Sequence, residues 1–241
     1  MNILEVKNMT KDFGGLRAID NLSLTIAEGQ ILGLIGPNGA GKSTAFNCIA
    51  GVFAPTKGEV YFKGKKINGR KPWHLCKEGL ARTFQIVKPF ASKSVLYNVM
   101  VGSFATTNKR AEAEAKALEV LKALEFEDKK DIRAGNLTIA DRKRLEIARA
   151  LATEPKMLLL DEVMAGLRPA EVDGMVKTIQ ALRAQGITIF VIEHIMRAIM
   201  ALSDRIVVIH FGKKIAEGSP TEVAADDNVI KAYLGDDYVA A

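Results

Sequence analysis

The chain has 241 residues, 48% of them hydrophobic and 26% charged, enough for one full core with a subdomain and unlike a disordered or low-complexity polymer. The net charge of +6 comes from scattered clusters (Lys63/Lys65/Lys66, Lys129/Lys130, Arg142/Lys143/Arg144, Lys213/Lys214) without interleaved aromatics, so no nucleic-acid platform is expected. No apolar run reaches membrane-spanning length, charges at Glu5, Lys7, Lys11 and Asp12 argue against a secretory signal, and Cys48 and Cys76 match no metal-ligand spacing.

In chain order, Ile3–Val6 and Leu22–Ile26 alternate as strands separated by the turn residues Gly14-Gly15 and Glu28-Gly29. The apolar run Ile31-Leu32-Gly33-Leu34-Ile35 reads as a buried strand. It runs into Gly36-Pro37-Asn38-Gly39-Ala40-Gly41-Lys42-Ser43, and Thr44–Ala50 then reads as a helix. This G-x-x-x-x-G-K-[ST] pattern in a strand–loop–helix frame is a phosphate cradle. Its glycines let backbone N–H groups turn inward, and the helix dipole adds to the field. Lys42 reaches the β- and γ-phosphates and the Ser43 hydroxyl suits Mg²⁺. A nucleoside triphosphate is therefore expected as ligand.

Glu59–Lys63 continues the β character, and Pro72–Gly79 predicts a short helix in which Trp73 and His74 read as packing residues. Between about residues 86 and 155 strand signals fade. Asn108–Phe126 is a charge-rich helix with Ala117, Val120, Leu121 and Leu124 on one face, and Arg142–Thr153 is a second. From Met157 strands and helices alternate: Met157–Leu160, helix Ala170–Gln185, strand Ile187–Ile192, helix His194–Ser203, strand Arg205–His210. A short helix ends near Leu234. The expected fold is α/β: a parallel sheet covered on both faces, an N-terminal antiparallel β region and an inserted helical subdomain. The expected division is a core of residues 1–85 and 156–241 around the insertion 86–155, with 221–241 as C-terminal helix and tail.

Asp161 and Glu162 end an apolar strand, where open α/β sheets bind ligands. Beside a phosphate loop, Asp161 suits Mg²⁺ and Glu162 suits polarisation of an attacking water. His194 follows the next strand at the same sheet edge, which leaves two readings, an ordinary surface histidine or a contact that senses loss of the γ-phosphate.

Together these residues resemble the nucleotide-binding subunits of ABC transporters over nearly the whole chain. The resemblance makes Gly36–Thr44 the Walker A loop and Met157–Glu162 the Walker B strand with catalytic Glu162. It makes Gln85 the Q-loop glutamine, near both metal and catalytic water, His194 the switch histidine and Phe13 the aromatic that stacks on adenine. In that family two subunits sandwich ATP, each completing the other's site with an L-S-G-G-Q signature. Here Leu137-Thr138-Ile139-Ala140-Asp141 stands in its place: both glycines are gone and a carboxylate lies near a polyanion. Arg168 also departs from the usual Asp or Asn of the D-loop. The expectation is two unequal sites and a heterodimer, with homodimerisation as the alternative.

Ala81-Arg82-Thr83-Phe84-Gln85, Leu145–Leu151, Val191–His194 and Ile215–Pro220 resemble the ATPase subunits of branched-chain amino-acid importers. The resemblance implies ATP and Mg²⁺ as cofactors, a second ATPase subunit, integral membrane permease subunits, an indirectly engaged solute-binding protein, and a peripheral place on the cytoplasmic face of the inner membrane. Related systems for urea, amides or lipopolysaccharide share much of this pattern. A soluble ABC ATPase usually has two cassettes or a long coiled coil. A GTPase would need an Asp that Asn108-Lys109-Arg110-Ala111 lacks.

Overall fold

The computed structural model describes residues 1–84 and 88–234. Gln85, expected to be the Q-loop glutamine, and the tail beyond Leu234 lie outside the described residues.

The chain opens with β1 (Asn2–Phe13), β2 (Leu16–Ala27), β3 (Ile31–Ile35), α1 (Lys42–Ile49), β4 (Lys57–Phe62), β5 (Lys65–Lys66), α2 (Pro72–Lys77) and β6 (Leu80–Arg82). Three helices follow: α3 (Val95–Ser103), α4 (Arg110–Ala123) and α5 (Ile139–Leu151). The rest comprises β7 (Met157–Asp161), α6 (Pro169–Ala184), β8 (Thr188–Ile192), α7 (Met196–Leu202), β9 (Arg205–His210), β10 (Lys213–Gly218), α8 (Pro220–Ala224) and α9 (Asp227–Leu234).

Two sheets form. One is antiparallel, in the order β2-β1-β4-β5; the other runs β10-β9-β3-β8-β7-β6, parallel except for β10. Period-two alternation divides the apolar residues of the parallel sheet between two cores. Leu32, Leu34, Leu159, Phe190 and Val207 face α1 and the antiparallel sheet, packing with Phe46, Ile49, Leu4 and Leu22. Ile31, Ile35, Leu158, Leu160, Ile189, Val191 and Val208 face the other way, onto Ile147, Ile179 and Ile199. Strands buried on both sides read as unbroken apolar runs for this reason.

The structure adds elements that the sequence pattern does not announce. Helix α3 is rich in β-branched residues and carries Gly102 near its end, so local propensity is poor. It is fixed by its surroundings: the Ser94 side chain accepts from the Tyr97 N–H, and Val95, Asn98, Val99 and Met100 are buried. A Cβ at Gly102 would lie 2.3 Å from the Arg149 carbonyl oxygen, so glycine is what lets α3 meet α5. Helix α5 begins at Ile139, three residues before the expected Arg142, because Thr138 supplies the cap.

A candidate nucleotide-hydrolysis site

The phosphate loop joins the end of β3 to the start of α1. Gly36 (φ 153°) and Gly41 (φ 104°) occupy backbone conformations that L side chains rarely adopt. A Cβ at Gly36 would come within 2.1 Å of the Ile209 carbonyl oxygen, and one at Gly41 within 2.5 Å of that of Ala18. The loop is thus moulded onto its own scaffold, leaving Asn38 and Gly39 exposed on its outer side. Pro37 is half-buried, Ala40 buried and Thr44 half-buried, so these three shape the loop from behind. Lys42 donates to the Gly36 (2.7 Å) and Pro37 (2.9 Å) carbonyls. Burial pushes its pKa below the ordinary lysine value, against the pull of Glu162 and Asp161.

Asp161 ends β7 beside the loop. Its N–H donates to the Thr83 hydroxyl, and its Oδ2 accepts from Arg82 Nη2 at 2.9 Å. Burial raises its pKa, and the Arg82 charge and hydrogen bond oppose that shift. Oδ1 is buried and has no hydrogen-bond partner in the described structure. A buried carboxylate oxygen of this kind, lining the same cavity as Ser43, fits a hard divalent cation. No cluster of three His, Cys, Asp or Glu side chains that could hold a metal occurs among the described residues, so such an ion would need other oxygens, as phosphates provide.

Glu162 sits in a left-handed conformation (φ 50°) just past the strand end. Its N–H donates to the Ile192 carbonyl (3.0 Å), and its own carbonyl accepts from Lys143 Nζ (3.1 Å). Its Oε1 lies 4.0 Å from His194 Nδ1. Strand pairing of Asp161 with Ile192 brings the ends of β7 and β8 together, which is why these two residues meet. Phe13, 41% exposed at the end of β1, packs edge-on against Phe53 with ring centroids 5.3 Å apart, and Lys11 lies 4.9 Å above its ring. It offers an aromatic face near the surface rather than a core residue.

Leu137–Asp141 belongs to the helical layer, at the start of α5. Leu137 is buried and Ile139 is 61% exposed. The Thr138 hydroxyl accepts from the Asp141 N–H (3.2 Å) and donates to Asp141 Oδ2 (2.8 Å), while Asp141 Oδ1 pairs with Lys129 (2.7 Å). Both polar side chains are committed locally. The Asp141 pKa stays below its ordinary value, because the hydrogen bonds from Lys129 and Thr138 outweigh a larger single contribution from burial.

Sequence reasoning misses several residues around this site. Lys143 sits in a run that reads as surface charge, yet it is only 6% exposed and holds the Glu162 backbone. Helical spacing carries the signal: Lys143 shares a face of α5 with buried Glu146, Ile147 and Ala150. Glu193 is buried and accepts from the Met164 N–H at 2.8 Å, tying the turn after Glu162 to β8. Burial pushes its pKa up to about 7. The folded state therefore holds a proton that the unfolded chain releases near its ordinary value of 4.5. Its stabilising effect is present at low pH and is lost as pH rises through about 7. Glu193→Gln should accordingly be more stable than the parent at pH 8, by about 1–3 kcal/mol, with the difference shrinking toward pH 5. Denaturant melts at the two pH values check this, and a gap independent of pH contradicts it.

The comparisons agree with the geometry. Residues 19–165 match the family model described as ABC transporter, and residues 213–239 match one described as branched-chain amino acid ATP-binding cassette transporter. The chain is 38% identical over 253 residues to the high-affinity branched-chain amino acid transport ATP-binding protein BraF of Pseudomonas aeruginosa, covering 97% of this chain and 98% of that one. The ADP conformation of the ATP-binding cassette MJ1267 superposes with a TM-score of 0.90 at 33% identity, over 98% of this chain and 100% of that one. A dimeric post-hydrolysis cassette bound to ADP and Pi, MJ0796, gives 0.80 at 28% identity, over 90% and 98%. A phosphate loop, two carboxylates and a histidine gathered at one sheet edge, inside a fold shared along its whole length, leave one assignment: this chain belongs to the ABC transporter family, as its ATP-binding, ATP-hydrolysing subunit.

Proposed function

We propose that the chain powers import of branched-chain or related small amino acids, with Glu162 as the base that polarises the attacking water. The observation that carries the catalytic part is the placement of Glu162 Oε1 4.0 Å from His194 Nδ1, beside Asp161 and Lys42. His194 is exposed at the sheet edge, where it can register loss of the γ-phosphate. Asp161 and Ser43, with Gln85 from the family resemblance, would hold Mg²⁺, which when bound neutralises developing phosphate charge. Gly36–Thr44 binds the phosphates and Phe13 stacks on the base.

The paired state is asymmetric in this reading. A partner subunit completes the site built by this chain. The site that this chain completes in return is weak, because Thr138 and Asp141 satisfy one another and Ile139 and Ala140 stand where close backbone approach is needed. The segment Lys88-Pro89-Phe90 that follows Gln85, with Phe90 exposed, receives a cytoplasmic helix of a membrane permease. No helix among the described residues is long and apolar enough to cross a membrane, and the subunit works peripherally on the cytoplasmic face of the inner membrane. A solute-binding protein acts only through the permease.

Uptake of labelled leucine, isoleucine and valine by cells carrying the wild-type or Glu162→Gln chain tests this. Uptake should fall to the background of a strain without the chain. Unchanged uptake of all three, with loss of another solute, would overturn the substrate assignment alone.

A further inference from the structure

We infer that Arg82 is a built-in counter-ion to Asp161 that sets how tightly the nucleotide site takes a divalent cation. The inference rests on the reading of Asp161 as a cation holder. Arg82 ends β6, and its guanidinium spans three elements. Nη2 donates to Asp161 Oδ2 on β7 (2.9 Å), Nη1 to Asn47 Oδ1 on α1 (2.6 Å), and Nε to the adjacent Thr83 carbonyl (3.2 Å). Its carbon lies 5.2 Å above the Phe84 ring, and the Phe84 N–H is itself held by buried Glu146 of α5. The Arg82 side chain is 12% exposed and that of Asp161 4%, so the pair is shielded from solvent. Both line the cavity that Ser43 also lines.

Two consequences follow. With Oδ2 committed to the guanidinium, Oδ1 is the carboxylate oxygen left for a cation. A permanent positive charge also sits within one carboxylate of the ion. In a partly buried site that repulsion is weakly screened and lowers cation affinity. Arg82 is thus a positioning residue that trades cation affinity for a fixed, charge-compensated Asp161 in the nucleotide-free cassette. A lysine would keep the charge but could not bridge Asp161, Asn47 and the Thr83 carbonyl together.

The test is Mn²⁺ binding to the purified ADP-loaded chain, read from the electron paramagnetic resonance signal of unbound Mn²⁺. Arg82→Gln and the similarly sized Arg82→Met should bind Mn²⁺ about tenfold more tightly than wild type, as expected when one neighbouring charge is lost. Arg82→Lys should stay within about twofold of wild type. ADP affinity in EDTA shows that each variant is folded, and having two neutral variants guards against failure of one. Asp161→Asn should weaken Mn²⁺ binding. If it does not, Asp161 is not the cation holder and the parent reading fails. If Asp161→Asn weakens binding while the folded neutral Arg82 variants match wild type or bind less tightly, the counter-ion inference fails by itself.

Discussion

Glu162→Gln protein should lose ATP turnover by about 10²–10⁴-fold while still binding ATP. The substitution is isosteric, and the backbone around Glu162 is held independently of its side chain: Ile192 accepts its N–H and Lys143 donates to its carbonyl. What changes is the ability to draw a proton from water. Retained wild-type turnover would end the assignment of Glu162 as base. The same protein also interrogates asymmetry. Light scattering should find it monomeric with ATP, since Thr138 and Asp141 are spent on each other and on Lys129. Replacing Thr138, Ile139, Ala140 and Asp141 by Ser, Gly, Gly and Gln in that background should produce an ATP-dependent dimer. Glycine in the first turn of α5 costs about 1 kcal/mol per residue at most, so the helix should survive. An ATP-dependent dimer of the unaltered Glu162→Gln chain would sink the unequal-site reading.

The parts of the fold that are legible in the sequence are those whose pattern arises from a single element. β3, β7, β8 and β9 are buried on both faces, so each appears as an apolar run whatever its neighbours. The phosphate loop is legible because backbone geometry demands glycine at fixed positions. Helix α3, β6 and β10 are not legible in this way. β6 is three residues long and becomes a strand only by lying against β7, and β10 carries Lys213, Lys214 and Glu217 along an edge. The supporting residues of the site stay hidden for the same reason. Arg82, Asn47 and Lys143 matter through partners 79, 35 and 19 positions away in the chain, pairings that no local pattern encodes. The degenerate signature shows the converse. Loss of its glycines is plain from the residues, whereas the Lys129 ion pair that makes Asp141 tolerable needs the turn after α4 to be placed.

Lys42→Ala should weaken ATP binding by on the order of 10²-fold, and the structure separates this loss from a loss of fold. The Lys42 ammonium already makes two charge-assisted hydrogen bonds, to the Gly36 and Pro37 carbonyls, in a site whose burial disfavours its charge. Phosphate oxygens are stronger acceptors than carbonyls and bring the compensating charge, so the lysine gains by exchanging one set for the other. Two such bonds at about 1.5–3 kcal/mol each, less what the carbonyls provided, give an effect of that size. The scaffold contributes little to it, since Phe46 and Ile49 anchor α1 in the core regardless of residue 42. Lys42→Ala should therefore keep a melting temperature within a few degrees of wild type. Gly41→Ala should behave differently. Its Cβ would meet the Ala18 carbonyl at 2.5 Å and Ile19 Cδ1 at 2.8 Å, at a φ of 104°, so relief requires the loop to shift off β2. That variant should lose binding and melt several degrees lower. Trp73, the single tryptophan, lines the same cavity as Ser43 and Asp161, so its fluorescence can follow ATP titration in both proteins. ATP binding by Lys42→Ala within twofold of wild type would show that the lysine serves the loop and not the phosphates. Equal loss of stability in both variants would show that binding and fold cannot be separated at this turn.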